Sequence, residues 1–265
     1  MSINGEVPNS DGVDGIIRPM LSNEPQASLD SAHVDDSIFV LRPDYRAMVI
    51  SAIGVCGGPS DEFSNAALER AEEKVRARLG GEVPEALPEI AAWREAFLGF
   101  GVKPRQGRSS VEALIRRIDA GLPRIDRLTD LYNAISVEHL IPIGGENLDR
   151  YVGAARLVRA NGDEIFDTVV DGESADTTPY PGEVIWRDDI GVTCRRWNWR
   201  QCMRTRLSQE TTNVVFILDA LEPVSDEALN AAADALITLI CVDSPDLRIS
   251  HKVLGLGKSL KSAPA

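Results

Sequence analysis

Apolar positions recur with a helical period over five stretches of the chain. Residues 62–79 place Leu68, Ala71, Val75 and Leu79 on one helical face, and 90–100 reads as a second helix. Ser109 and Glu112 have the spacing of a capping box, opening a helix with Val111, Leu114, Ile115 and Ile118 inward. Pro123 precedes a longer helix over 125–139, whose buried stripe is Ile125, Leu128, Tyr132 and Ile135. Ser225 opens a last helix carrying Leu229, Ala232, Leu236 and Ile240 on one side. Short β-rich runs occupy 37–40 and 47–55, then 154–160, 183–187, 192–197 and 213–219. The IPIGGENLD segment between these groups reads as a loop. A helical middle followed by clustered strands predicts an α+β fold, a mainly antiparallel sheet core with helices packed outside. The folded unit is expected over 36–254. Residues 1–35, rich in Asn, Asp, Ser, Pro and Gly without periodicity, read as a disordered tail, and 255–265 as a loose end.

Composition narrows the class. The 265 residues fit one such unit. No apolar run approaches the roughly 20 residues of a membrane span, and the N-terminus has no basic-then-apolar signal. A cytoplasmic protein with no membrane partner is expected. The four cysteines, at 56, 194, 202 and 241, show no CxxC spacing and read as reduced thiols. His33, His139 and His251 are far apart and form no zinc motif, so neither a metal nor another cofactor is expected.

The net charge of -13 argues against broad affinity for nucleic acid, DNA included. Yet residues 192–206 hold five arginines (195, 196, 200, 204 and 206) and no acid. Lys103, Arg105 and Arg108 form a second basic spot, with Arg116 and Arg117 beyond it. These cations suit a ligand with few phosphates, such as a tRNA acceptor end. Alternatively, they pair with the abundant carboxylates.

Polar residues cluster within otherwise apolar elements. On the 125–139 helix, Asp126, Asp130 and Asn133 follow at i, i+4 and i+7, and Ser136 adds to the same side. Such short polar residues are poor helix formers and suggest a pocket wall, or else a solvated face. Gly144 and Gly145, followed by Glu146, let the backbone approach a ligand and offer N–H groups to an anion, or simply make a turn. Glu183 opens a strand. Arg195, Arg196, Trp197 and Asn198 combine cations with a stacking surface fit for an unpaired nucleotide end, unless the tryptophan packs into the core. On an alternating strand Arg195 and Arg196 would point to opposite faces. Glu210, Thr211 and Thr212 line a strand mouth or cap a loop.

Taken in order, these segments resemble the B3/B4 domain of the phenylalanyl-tRNA synthetase β chain over roughly 105–220. Asp130-Leu131-Tyr132-Asn133 is similar to the family's Asp-x-Thr-Asn helix signature, and Pro142 falls at its Gly-Gln-Pro-Leu-His turn. Arg159-Ala160-x-Gly162-x-Glu164 is similar to its Arg-x-Ala-x-x-Gly-Glu strand, and Glu210-Thr211-Thr212-x-Val214 to its Glu-x-Thr-Thr-x-Val segment. Tyr45-Arg46-Ala47 and Gly57-Gly58-Pro59-Ser60 resemble the solitary branch of the family. In the synthetase this domain hydrolyses tyrosine mistakenly attached to its tRNA, so the resemblance implies a related pocket. Two departures matter. The family's turn histidine is replaced by the Gly144–Gly145 region, and the synthetase's charging core is not expected here.

The resemblance implies a trans-acting deacylase of aminoacyl-tRNA, with water attacking the ester. The Gly144 and Gly145 N–H groups would face the oxyanion, while Asn133 and Glu210 hold the amino group or the water. Asp130, Ser136, Glu146, Glu183, Arg195, Arg196, Trp197, Asn198, Thr211 and Thr212 would contact the amino acid and the acceptor end. No Ser-His-Asp set suggests a covalent route. Two alternatives remain: a tRNA- or amino-acid-binding module without turnover, and a hydrolase of small amino-acid esters or amides.

Overall fold

The computed structural model describes residues 25–170 and 172–255. In chain order it runs α1 (Pro25–Asp30), β1 (His33–Val34), α2 (Asp36–Leu41), β2 (Arg46–Ile53), α3 (Glu62–Leu79), α4 (Pro88–Gly99) and α5 (Ser110–Ile115). Then follow α6 (Arg127–His139), β3 (Ile143–Asn147), β4 (Arg156–Arg159), β5 (Phe166–Val170), β6 (Glu173–Thr177), β7 (Val184–Arg187) and β8 (Val192–Arg195). The last elements are β9 (Arg200–Gln201), β10 (Asn213–Ala220), α7 (Asp226–Cys241) and β11 (Arg248–Leu254).

A four-stranded antiparallel sheet, ordered β11-β2-β10-β3, lies at the centre. Its two inner strands, β2 and β10, are buried on both faces, as strands of a sheet covered on both sides must be. Met48, Ile50, Phe216 and Leu218 meet α3, α6 and α7 on one face. Val49, Val215 and Ile217 meet Trp186, Cys194 and Trp197 on the other. The last three belong to a five-stranded sheet, β1-β4-β7-β8-β9, and the turn that follows β8. That sheet is antiparallel apart from the short parallel β1–β4 pair. The α+β class and its antiparallel core are as the pattern predicts, with the second sheet taking the place of helices on one side.

The capped, periodic helices also follow the pattern. Asp61, Ser109, Asp126 and Ser225 each accept a backbone N–H at a helix start. At α5 the box is incomplete: the Glu112 carboxylate pairs with Arg94 and Arg116 instead of its cap. Three local readings are corrected. Residues 37–40 lie in helix α2, capped by Asp35, not in a strand. The IPIGGENLD loop contains strand β3, paired along β10. Ile125 is 56% exposed and precedes α6, which is buried on every side from Arg127 to Val137. The polar side of that helix therefore faces protein, not water. Of the expected tail, residues 1–24 lie outside the described residues, but 25–35 form α1 and β1, with Leu29 fully buried. Residues 256–265 also lie outside them. Among the described residues no helix is long and apolar enough to cross a membrane, and no cluster of metal-ligating side chains forms.

Candidate functional site

A pocket of about 240 Å³ opens between the two sheets. That is slightly below the ~300–1,000 Å³ of drug-sized ligand sites, so it suits a single amino-acid-sized group. Ile143, Gly144, Glu146, Ile217 and Asp219 line it from the central sheet. Trp186 and Cys194 line it from the second sheet, and Trp197, Asn198, Trp199, Arg200 and Gln201 from the β8–β9 hairpin. Ser110, Ala113, Leu114 and Arg117 close it from α5, and Tyr132 and Asn133 from α6.

The hairpin is the least regular part. Arg196 (φ 49°) and Trp197 (φ 68°) both sit in the left-handed region, which costs a non-glycine residue on the order of 1 kcal/mol or more. Burial of Trp197 offsets that strain. Its ring is fully buried, edge-on to Tyr45 at 5.0 Å and Trp93 at 5.3 Å. The two inverted residues turn Asn198 and Trp199 toward the pocket. Trp199 lies under the Arg196 guanidinium at 4.3 Å and near that of Arg200 at 5.5 Å.

Two carboxyls that line the pocket are buried. Asp219 accepts from the Tyr45 hydroxyl at 2.5 Å and from Asn198 Nδ2 at 3.2 Å. Glu146 accepts from the Tyr151 hydroxyl and from Thr205 Oγ1 at 3.2 Å. Burial pushes both up to about 7, against the hydrogen bonds that favour the charge. The Trp186 indole N–H also favours the Asp219 charge, without hydrogen-bond geometry. Each carboxyl thus holds its proton more tightly in the folded chain than in the unfolded one. Its contribution is complete below the ordinary carboxylate range and is lost as pH rises through about 7. His139, whose burial lowers its pKa, acts in the opposite sense over part of the same range. The comparison that isolates Asp219 is therefore Asp219→Asn against the parent. The variant's denaturant midpoint should fall less than the parent's between about pH 5 and pH 8. Equal slopes would contradict this assignment.

The structure sorts the sequence candidates. Asn133, Gly144, Glu146, Trp197 and Asn198 come together around the pocket. Asp130 and Ser136 do not reach it: Asp130 accepts from Ile125 N at 2.9 Å and Ser64 Oγ at 3.2 Å, and Ser136 donates to Ile141 O at 2.6 Å. The paired N–H groups expected of Gly144 and Gly145 are ruled out by strand geometry. Successive strand residues direct their N–H groups to opposite edges. Pro142 O accepts from Asp219 N at 3.0 Å and Gly144 pairs with Ile217, so Gly144 faces β10. Gly145 faces the other edge, where its carbonyl accepts from Gln201 Nε2 at 2.9 Å. Gly145 also packs behind the pocket, against Tyr132, Leu207 and Phe216.

The remaining candidates are structural. Glu210 and Thr212 are exposed in the turn before β10, and Thr211 Oγ1 accepts from Ser208 N at 2.9 Å within it. Glu183 is sealed in the interior by a double hydrogen bond from Arg195, both 2.9 Å, and accepts from Arg196 N at 3.2 Å. Arg195 and Arg196 therefore share one carboxylate and do not point to opposite faces. Arg204 and Arg116 are paired as well, with Asp188 and with Glu112 and Glu85. Among the described residues Lys103, Arg105, Arg108, Arg117, Arg200 and Arg206 have no ion-pair partner, and of these Arg117 and Arg200 border the pocket.

Sequence reasoning missed Asp219, Trp186 and Gln201. A lone aspartate closing the apolar run VVFILDA was the available signal, because a carboxyl on a doubly covered strand is buried whichever face it takes.

The B3/4 domain model matches residues 92–241. An N-terminal fragment of the phenylalanyl-tRNA synthetase β-subunit from Pyrococcus horikoshii aligns in space at 13% identity and a TM-score of 0.41. The alignment covers 84% of this chain and 50% of that one, so the chain spans half that fragment's length. No curated protein sequence matches the chain. The family match takes in more than half of the 265 residues and includes every residue that lines the pocket, from Ser110 to Asp219; the chain belongs to the B3/4 domain family.

Proposed function

We propose that the pocket receives the aminoacyl group of a mischarged tRNA and promotes hydrolysis of its ester. One observation carries this reading. Seven buried side-chain polar atoms have no hydrogen-bond partner among the described residues, and four belong to residues lining this one pocket: Ser110 Oγ, Trp186 Nε1, Trp197 Nε1 and Asn198 Oδ1. Buried polar groups are rarely left unpaired, and such a concentration fits a site awaiting a ligand. Apolar walls from Leu114, Ile143 and Ile217 suit a side chain, and the unpaired Arg117 and Arg200 suit the phosphates beyond the terminal ribose.

The chemistry needs little more. Water adds to the ester carbonyl, the acyl–oxygen bond breaks, and the ribose hydroxyl leaves with a proton. An ester is already activated, so orientation and donors for the oxyanion suffice. The Ser110 hydroxyl and the Trp197 N–H are such donors, and Asn133 offers its amide to the water. No histidine lines the pocket, which favours the second reading, binding without turnover.

The test mixes the protein with a panel of mischarged tRNAs and follows loss of the ester. At least one should be deacylated above the buffer rate. Arg200→Ala should weaken tRNA binding and flatten its salt dependence by about one phosphate's share. Tight binding with no ester loss for any tRNA would leave the binding module and remove the enzyme.

A further inference from the structure

Elsewhere in the molecule, buried carboxylates have arginine partners. Glu112 pairs with Arg94 and Arg116, Glu183 with Arg195, and Asp188 with Arg204. Asp126 and Asp130 have none, but both accept backbone N–H groups at the start of α6, where the helix favours negative charge. The two carboxyls of the pocket wall are different: Glu146 and Asp219, each 3% exposed, receive only neutral donors and have no cation within ion-pair distance among the described residues. Asp219 is the one beside Asn198. A buried carboxylate without a counter-charge is costly.

A second observation lies beside it. Asn198, 7% exposed, donates its amide N–H to Asp219 and leaves its own Oδ1 without a partner. Two acceptors are thus adjacent on the pocket wall, one a carboxyl that a bound cation would keep ionised and one unsatisfied. Trp186 and Trp197 line the same pocket, and aromatic faces attract cations, whereas the Trp199 ring is already taken by Arg196 and Arg200.

We infer that the pocket is a receptor for a protonated primary amine, seated between the Asp219 carboxylate and Asn198 Oδ1 and walled by Trp186 and Trp197. An ammonium group has three N–H donors and no acceptor, which matches this wall. Within the proposed function the amine is the α-amino group of the aminoacyl ester. The inference rests on the pocket being a ligand site, and requires neither tRNA nor hydrolysis. Asp219 and Glu146 stand on one face of adjacent strands, four residues apart along β10, or about 13 Å. A ligand with its amine at Asp219 therefore extends its side chain toward Glu146, while the ester stays near Asn198 and Ser110.

The experiment is calorimetric titration of the whole protein with three probes: phenylalaninamide, its N-acetyl derivative, and 3-phenylpropionamide, which lacks the amine. The free amine should bind at least about tenfold more tightly than the other two, the difference expected of a charge-assisted hydrogen bond. Asp219→Asn should erase that advantage. If this variant does not fold, Asn198→Ala, which keeps the carboxylate, should reduce the advantage severalfold. Equal binding of the three probes, binding of none, or an advantage that survives both substitutions would overturn the inference. Amine-selective binding together with inert mischarged tRNAs would keep the amine seat and reject the deacylase.

Discussion

Arg195→Ala is expected to destabilise the protein by about 3–5 kcal/mol while leaving tRNA affinity unchanged. Its partner Glu183 has a side chain only 1% exposed, and the Arg195 guanidinium supplies both of its strong hydrogen bonds. Arg195 also stacks over Phe166 at 5.6 Å, so the substitution removes packing as well as charge. What is left for Glu183 is the Arg196 N–H at 3.2 Å, the Tyr180 N–H at 3.4 Å and an Arg196 guanidinium nitrogen at 3.8 Å. The stranded buried charge, more than the lost contact, sets the size of the effect. Adding Glu183→Gln to the variant should therefore restore part of the stability. Urea unfolding of the parent, the single and the double variants measures this, with tRNA titrations alongside. Unchanged stability with weakened tRNA binding would show that Arg195 belongs to the ligand site.

That expectation reverses the strand-based reading of the same arginine, and the reason is local. The segment CRRWNWR has no glycine, proline or Asn-Gly pair, so nothing in it signals a turn. Its inversion at Arg196 and Trp197 is dictated from outside, by Tyr45, Trp93 and Phe100, each at least 97 residues before Trp197.

 Seen from Trp197, these ring partners are distant in sequence, and no local pattern announces them. Helices α3 to α7 were legible because their information is local: an apolar residue every three or four positions and, at all but α4, a capping side chain at the start. Strand β3 was hidden by its two glycines, which read as a turn until β10 is placed beside them. The polar side of α6 read as a solvated face or a pocket wall, and only the packing separates the two. Asp130 and Ser136 are satisfied inside the protein, and Asn133 alone of the three reaches the cavity. The pocket's chemistry was half visible. Asn133 stood out on the polar side of a helix, Glu146 after a glycine pair, and Asn198 among arginines and tryptophans. Asp219 did not, because its effect depends on being buried without a cation, which only the fold determines.

Gly144→Leu is expected to weaken ligand binding on the order of 100-fold without unfolding the chain, and it carries the most direct test of the central claim. Gly144 lies on β3 with its open side toward the pocket. A Cβ there meets only the Gln201 amide, at 3.1 Å, the movable end of a flexible side chain. Its φ is not in the left-handed region, so a leucine keeps the strand's backbone and directs its side chain into the empty space. The loss comes from filled volume and not from altered charge, which separates it from any effect of the cationic rim. The measurement is titration of a non-hydrolysable aminoacyl-adenosine, with an amide in place of the ester, against the parent and the variant, with melting temperatures for both. The account predicts binding to the parent and a loss on the order of 100-fold, about 2.7 kcal/mol, in the variant, at nearly unchanged melting temperature. Equal affinity of the two proteins would place the aminoacyl end somewhere other than this pocket and contradict the account.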